Sequence, residues 1–395
     1  MINFRNKTVT IKDTKRLLCV LCGYIPFISL LVILTILAFA TGIEKLSGTE
    51  TALRYVYHAY WFIALWMLFG ISAFVYIIHK KLYKKVGIFL LHCSFGIILI
   101  GALISFILSE RGYIHLRQGE TYSFYISEKD EIKMPLPFKI KLVLFDIEYH
   151  SDSNIPANYH SFLKIDNEMH QISMNNIYKR NGYRFYQMDY DPDEMGTVLL
   201  VTRDPYGIAV TYAGYILLFI SMMWTLLIRI GWKKVLLMYV VTAAVWLFIS
   251  RIKPMTPVLR TPMLAAHVSV IMISYVMLLT MAVAGIAGVA SSSLRNRMCR
   301  FNSILIYPAL FLLITGIFVG AVWANISWGR YWGWDAKETW ALITMLLYSI
   351  PIHRKSLRMF CDNKNFLLFC TFAFLAVVMT FLGVTFLLGG MHSYV

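Results

Sequence analysis

Long apolar runs alternate with short polar loops along most of the chain. A run of about 20 apolar residues can cross the ~30 Å hydrocarbon core of a bilayer, and nine such runs can be placed in the sequence. They lie at about 17–42, 57–79, 86–109, 207–228, 233–250, 264–289, 303–323, 340–353 and 365–388, and the fifth and eighth are short. The first exceeds the about 7–15-residue apolar core of a signal peptide, so we expect it to be retained. The pattern predicts an all-α polytopic membrane protein with about nine to ten transmembrane helices.

One segment between the apolar runs has a different pattern. Residues 110–206 contain period-two alternation, as in Phe138–Leu144, and turn signals at Asn181-Gly182 and at 204–207. Such alternation between turn signals is typical of β-strands. The segment predicts a small β-rich domain. Three of its four histidines show no metal-ligand spacing, and we expect them to be solvated: His150, His160 and His170.

The charges are unevenly distributed between the loops. The chain has 395 residues, 58% of them hydrophobic, a mean hydropathy of +0.63 and a net charge of +16. Outside 110–206 there are 26 basic and 6 acidic residues, and 19 of the basic ones lie at 1–16, 80–85, 229–234, 295–300 and 354–364. By the positive-inside rule these loops and the N-terminus are cytoplasmic, and 110–206 and the C-terminus are outside. The distribution of the positive charge therefore indicates how the chain is oriented in a lipid membrane, and it does not indicate binding to nucleic acid.

Four histidines fall into two layers of this topology. His92 and His353 lie near the inner edge, whereas His267 lies near the outer edge and His392 just beyond the last apolar run. A histidine within a membrane span is costly and indicates function. Two imidazoles can bind haem iron as axial ligands, whereas zinc needs a third or fourth protein ligand. We therefore predict an inner haem-iron site at His92 and His353 and an outer one at His267 and His392.

Five of the ten tryptophans lie within residues 323–340, WANISWGRYWGWDAKETW, together with two carboxylates. An interfacial aromatic belt accounts for one or two rings at a helix end, but five rings interleaved with glycines favour a surface for a flat apolar ligand. Arg330 or Lys337 could pair with the acidic groups of such a ligand. The remaining candidate residues are Trp323, Trp328, Trp332, Trp334, Asp335, Glu338 and Trp340.

Several longer motifs accompany these residues. In the C-terminal half they are AAHVSVIMISY at 265–275, WGRYWGWDAKETWAL at 328–342 and GMHSY at 390–394; in the N-terminal half they are LLHCSFGIILIGALIS at 90–105, PLPFKIKL at 135–142, NGYRFYQ at 181–187 and DPYG at 204–207. The first set resembles the tryptophan-rich "WWD" haem-handling family of the CcsA, CcmF and CcmC proteins, and the second set resembles ResB (CcsB). Together they resemble a fused ResB–CcsA, or CcsBA-type, cytochrome c synthetase of System II.

The resemblance implies a division of the chain into four parts. Residues 1–109 would be a three-span ResB-like bundle, and 110–206 a β-rich ResB-like domain outside the membrane. Residues 207–232 would be a connecting span, and 233–395 a CcsA-like haem-handling domain with an external WWD segment at 323–340.

The resemblance also implies an activity, holocytochrome c synthase of the cytochrome c haem-lyase type. Haem b would pass from the cytoplasm through the inner histidine pair to the outer pair beside the WWD segment. Its vinyl groups would then be joined to the Cys-x-x-Cys-His thiols of an apocytochrome c. No residue is expected to act as a nucleophile, and Trp328, Trp332, Trp334, Asp335 and Glu338 would form the surface that presents haem. The expected location is the bacterial inner membrane, and thiol-reducing proteins of the same pathway are further expected partners.

Two other functions remain open at the sequence level. The chain could be a haem transporter or chaperone that delivers haem to a separate ligase. It could also be an electron-transferring membrane cytochrome b, whose haems would be permanent.

Overall fold

A computed structural model of the chain describes residues 25–149, 156–252, 261–354 and 357–388. Nine long helices lie within these ranges: α1 Ile25–Ser47, α2 Tyr60–His79, α3 Val86–Leu108, α4 Gly207–Ile230, α5 Trp232–Ile249, α6 Pro262–Ala290, α7 Ser292–Trp328, α8 Ala336–Ser349 and α9 Asn363–Val378. A π-helical segment, Met379–Leu388, continues α9. Shorter helical turns lie at Thr49–Ala52, Leu53–Tyr57, Leu82–Lys84, Ile350–His353 and Arg358–Phe360.

Eight of these helices are long and apolar enough to cross a membrane, counting α9 with its π-helical continuation and considering only the described ranges. The exception is α8, which corresponds to the short eighth run of the sequence. Its 14 residues rise about 21 Å at ~1.5 Å each, and the four-residue 3₁₀ turn that follows adds about 8 Å. Helix and turn together therefore approach the thickness of a bilayer core. The multi-pass architecture predicted from the apolar runs is confirmed.

The helices pack mainly in neighbouring pairs. α3 lies along α4 and α6 along α7, while α1 contacts both α2 and α8. At the α3–α4 contact a Cβ atom added to Gly101 would lie 2.3 Å from Thr211 Oγ1. The glycine therefore allows the two backbones to approach closely. Gly96, five residues earlier, has no neighbouring atom within 4 Å of such a Cβ.

Residues 110–203 form the predicted β-rich domain, as one antiparallel eight-stranded sheet. The strands are β1 Glu110–Arg117, β2 Thr121–Ser127, β3 Lys133–Tyr149, β4 Pro156–Ile165, β5 Glu168–Ser173, β6 Tyr178–Arg180, β7 Tyr183–Tyr190 and β8 Gly196–Arg203. Their order in the sheet is β5-β4-β3-β2-β1-β8-β7-β6. Alternate residues of β1 and β3, among them Leu116, Ile140 and Leu142, are fully buried in the core of the domain. The period-two pattern thus reports the burial of one sheet face.

The domain is joined to the membrane helices by its two ends. α3 ends at Leu108, directly before β1, and α4 begins at Gly207, four residues after β8. Asp204 accepts a hydrogen bond from the Gly207 amide at 2.8 Å and another from the Ser105 hydroxyl. The sheet is therefore anchored to the α3–α4 pair, on the side of the bilayer opposite to the loop between α2 and α3.

Candidate functional site

A continuous cavity of about 3000 Å³ extends between α2, α3, α4, α7 and α8. His92 and His353 line one end of it, and Arg330, Trp332 and Trp334 line the other. Pockets for small ligands usually measure about 300–1,000 Å³. The cavity is therefore large enough for a macrocycle, and it connects the predicted inner histidine pair with part of the tryptophan segment.

The inner histidines meet across two helical elements. His92 lies in the second turn of α3, and His353 ends the 3₁₀ turn after α8. Their ring centroids are 6.0 Å apart and their planes are nearly perpendicular, at 80°. The structure thus brings together two residues that the sequence separates widely, at the end of α8 that lies away from the sheet.

Backbone hydrogen bonds fix both inner rings. His92 Nδ1 lies 2.7 Å from the Ile88 carbonyl oxygen, and His353 Nδ1 lies 3.0 Å from that of Ser349. A carbonyl oxygen can only accept, so Nδ1 carries the hydrogen in both rings and Nε2 keeps its lone pair. Histidines that bind metals are usually oriented by such a bond from their second nitrogen.

The spacing of the two rings suits a shared metal ion. A metal–imidazole bond is about 2 Å long, so two imidazoles on opposite sides of one ion have ring centroids roughly 6 Å apart. The observed 6.0 Å agrees with this separation. Within the described part of the chain, no three His, Cys, Asp or Glu side chains come together as a zinc site would require. The pair therefore fits an iron porphyrin, in which the macrocycle supplies the other four ligands.

The tryptophan segment connects α7 with α8 through an irregular loop. Gly329 ends α7 with a φ of +74°, and Asp335 caps α8. Asp335 Oδ1 accepts from the Glu338 amide at 2.8 Å, and Glu338 Oε2 accepts from the Gly333 amide at 2.7 Å. The two carboxylates thus form a cap of the D-x-x-E type. They shape the loop that carries the rings.

Two of the five tryptophans, Trp332 and Trp334, line the cavity. Their ring centroids are 5.8 Å apart at 83°. Trp334 has a φ of +57°, a left-handed conformation that is unfavourable for a large side chain. Its ring stacks on Tyr57, with centroids 4.8 Å apart and planes at 11°, and its edge contacts Phe62. Contacts from the N-terminal half of the chain therefore hold this ring against the cavity.

The other three tryptophans have different surroundings. Trp323 and Trp328 form an edge-to-face pair, 4.8 Å apart, that packs against Met263 and Leu264 of α6. Trp340 Nε1 donates a hydrogen bond to Thr41 Oγ1 of α1 at 3.2 Å. The segment therefore does not present all five rings to one surface.

His267, one turn after Met263, lies on the same side as the Trp323–Trp328 pair. Its Nδ1 is 2.7 Å from the Gly316 carbonyl oxygen of α7, which again leaves Nε2 as the lone-pair nitrogen. A Cβ on Gly320 would lie 2.6 Å from the ring, so α7 presses closely on this histidine. The predicted partner, His392, lies outside the described residues, as do Gly389 and Gly390.

The β domain contributes charge to the outer end of the cavity. Arg111 of β1 lines this end together with Arg330. Burial lowers the pKa of the Arg111 guanidinium, the carboxylate of Glu128 at 2.6 Å raises it, and the nearby charge of Arg330 lowers it further. Lys337, the other predicted cation, lies half-buried in the first turn of α8.

Sequence analysis did not identify Tyr57 or Arg111 as parts of the site. Tyr57 belongs to an aromatic stretch, YHAYW at 57–61, which gives no indication of its contact with Trp334. Arg111 is one of many charged residues in the β-rich segment. The D-x-x-E cap of α8, by contrast, is a recognisable sequence signal for a helix start.

Two family models match the chain side by side. The ResB-like family matches residues 79–203, and the cytochrome C assembly protein family matches residues 207–392. The boundary between them falls where β8 leads into α4. The chain is therefore a multi-pass membrane protein with an antiparallel β domain, and its two matched regions correspond to a ResB-like family and a cytochrome C assembly family.

Individual relatives agree with these matches. Protein NrfI of Wolinella succinogenes is 36% identical over 173 residues, which are 39% of this chain and 19% of the relative. The cytochrome c biogenesis protein CcsA of Prochlorococcus marinus is 35% identical over 176 residues, 35% of this chain and 56% of the relative. CcsA of Pyropia yezoensis is 48% identical over 83 residues, 21% of this chain and 26% of the relative. The chain thus spans between about a fifth and just over half of the length of these relatives.

The two matches occur side by side in one polypeptide. The chain joins a ResB-like region and a CcsA-like cytochrome c assembly region in one polypeptide, consistent with a fused CcsBA-type protein of System II.

Proposed function

We propose that this protein carries haem b from the cytoplasmic to the outer side of a bacterial inner membrane and joins it covalently to the Cys-x-x-Cys-His motif of an apocytochrome c. The observation that carries the proposal is the single cavity that is lined by His92 and His353 at one end and by Trp332 and Trp334 at the other. Haem would be received between the two histidines and presented beside the tryptophans.

The inner pair supports the first half of this proposal. Both rings keep an Nε2 lone pair, and their separation of 6.0 Å suits two axial ligands of one iron. His353 is exposed and His92 is half-buried, so the pair lies where haem could enter from the cytoplasmic side. The outer site would use His267 and His392. His267 does not line the cavity, so the wall between Trp334 and Arg330 would hold the macrocycle before it reaches this outer site.

The ligation step makes few chemical demands on the protein. In thioether formation the sulfur of a cysteine adds to one vinyl carbon and the thiol hydrogen to the other, so no group leaves and no electron acceptor is required. Holding two thiols against two vinyl groups raises their effective concentration, which can accelerate a reaction by several orders of magnitude. A protein that positions haem and excludes water therefore needs no nucleophile of its own, and we assign none.

The decisive experiment expresses this chain alone with a Cys-x-x-Cys-His reporter in a bacterium that lacks its own maturation system. We expect haem that stays attached to the reporter after denaturation and acid extraction. Haem in the purified protein without labelled reporter would instead indicate a transporter that serves a separate ligase. Stoichiometric haem that does not exchange would indicate a membrane cytochrome b, and a colourless protein after haem addition would refute haem handling altogether.

A further inference from the structure

The inner end of the cavity is lined by cations. The cationic lining residues near the histidine pair are Lys80, Lys85, Arg229 and Arg354. The acidic residues of the same lining lie in the β domain, in its connection to α4 or before α2: Glu50, Glu110, Glu128, Asp130 and Asp204. Among the described residues, then, the positive charge at the inner end is not balanced by carboxylates in the cavity wall.

Arg354 is held in place by neutral groups. Its Nη1 donates to Ser303 Oγ at 3.0 Å, and its Nη2 donates to Asn363 Oδ1 at 3.4 Å. The guanidinium also lies 4.9 Å above the ring of Phe366. These partners orient the side chain but do not neutralise it. Within the described ranges it forms no ion pair, so its full charge is available beside His353.

Arg229 and Arg354 contact neighbouring residues of α7. The guanidinium of Arg229 is 5.1 Å above the ring of Tyr307 on α7. Tyr307 follows Ser303 by four residues, so the two share one helix face about 6 Å apart. Both line the cavity. The two guanidinium groups therefore contact side chains about one helical turn apart on the same cavity-lining face of α7.

An excess of arginine on the cytoplasmic side is expected of any membrane protein. The surroundings of Arg229 and Arg354, however, differ from those of other arginines on the same side. Arg297 and Arg300 are exposed on the first turns of α7 and contribute nothing to the cavity lining. Arg229 and Arg354 contact aromatic rings in the cavity wall. Guanidinium groups are well suited to bind carboxylates through paired hydrogen bonds.

Haem b has two carboxylates on one edge and two vinyl groups on the opposite edge. We propose that Arg229 and Arg354 bind the two propionates of the haem held by His92 and His353, so that its vinyl edge points into the cavity. This inference rests on the proposed function and adds to it the orientation in which haem is bound. If haem then moves to the outer end of the cavity without rotating, its vinyl edge faces outward, towards the cysteine thiols with which the vinyl groups react.

The test compares haem b with its dimethyl ester, which keeps the iron and the vinyl groups but lacks both negative charges. Each is titrated into the purified full-length protein in detergent, and the dissociation constant is read from the Soret band. Losing a hydrogen bond to a charged group commonly costs a factor of about ten or more in affinity. We therefore expect R229Q/R354Q to bind haem b at least about tenfold more weakly and the ester as tightly as the unchanged protein does.

R300Q is the matched control, because it removes one charge from the same side without touching the cavity. It should leave both dissociation constants unchanged, and R229K/R354K should recover part of the affinity for haem b. Equal losses for haem b and the ester, or no loss for either, would overturn the assignment while leaving haem transport intact. If the double variant does not fold, R229Q and R354Q singly allow the same comparison. Failure of the unchanged protein to bind haem b at all would overturn the proposed function as well.

Discussion

Replacing Tyr57 tests whether the N-terminal half of the chain positions the tryptophan loop. The Tyr57 ring stacks on Trp334 at 4.8 Å, and its hydroxyl lies 3.3 Å from Thr339 Oγ1 in the first turn of α8. Y57A removes both contacts, whereas Y57F removes only the hydroxyl. The two variants therefore separate the support of the ring from the hydrogen bond.

The magnitude follows from the conformation of Trp334. A left-handed backbone costs a non-glycine residue about 1–2 kcal/mol, and an aromatic stack contributes about 0.5–1.5 kcal/mol beyond simple burial. The free energy of stacking is thus similar in size to the backbone strain energy that it offsets. Without it, we expect Trp334 to leave its place at the cavity in a large fraction of molecules, with roughly a tenfold change in population for each 1.4 kcal/mol. The 3.3 Å hydroxyl contact is long and should contribute only about 0.5 kcal/mol.

The assay is the yield of covalent haem on a Cys-x-x-Cys-His reporter, measured beside the Soret band of the purified protein. Y57A should lower the reporter yield by about tenfold and leave the haem at the inner histidines in place, whereas Y57F should behave almost like the unchanged protein. Y55A is a suitable control, because Tyr55 lies in the same helical turn and is 62% exposed. A reporter yield that Y57A leaves unchanged, or that Y57F reduces as strongly, would contradict the stacking argument.

Two further predictions concern the membrane helices. H92G and H353G should each lower the haem that co-purifies with the protein, and added imidazole should restore part of it by replacing the lost ligand; an unchanged Soret band in both variants would argue against the inner site. G101A should lower the thermal stability in detergent by about 1–3 kcal/mol, because the new methyl group would meet Thr211 at 2.3 Å and force α3 away from α4. G96A on the same helix, with open space around its Cβ, should not lower the stability, and an equal loss in both variants would contradict the packing argument, because alanine favours a helix more than glycine does.

Much of the architecture could be predicted from the sequence because its main signals are local. Apolar length predicted the membrane helices, and period-two alternation predicted the β domain. The loop charges assigned His92 and His353 to one layer, which was enough to predict their proximity. The eighth run shows where such signals weaken, since α8 begins at Ala336, inside the polar tryptophan segment, and gains its length from a helix cap and a 3₁₀ turn.

The shape of the tryptophan loop could not be predicted in this way. In a regular helix, the sequence spacing of the tryptophans would determine which rings share a face. Gly329 and Trp334 both have positive φ angles, however, and these change the direction of the chain. Which rings face the cavity then depends on partners distant in sequence, such as Tyr57. The arginines beside the inner histidines were likewise counted only as topology signals, because their distance from the cavity depends on how α4 and α7 pack.

The contacts between the two matched regions give a physical reason for their occurrence in one polypeptide. Tyr186 of β7 lies within the ResB-like region, and its hydroxyl donates to the Asn325 carbonyl oxygen near the end of α7 at 3.1 Å. The same ring fills the space beside Gly329, where a Cβ atom would lie 2.8 Å from Tyr186 Cε2. The β domain therefore packs on the turn that begins the tryptophan loop, while Tyr57 supports the loop from the membrane side. Tyr57 and Tyr186 both belong to the N-terminal half of the chain. If the CcsA-like region were a separate chain, it would have to bind a second protein to hold the tryptophan loop in the same way. In a fused chain these contacts form within one molecule.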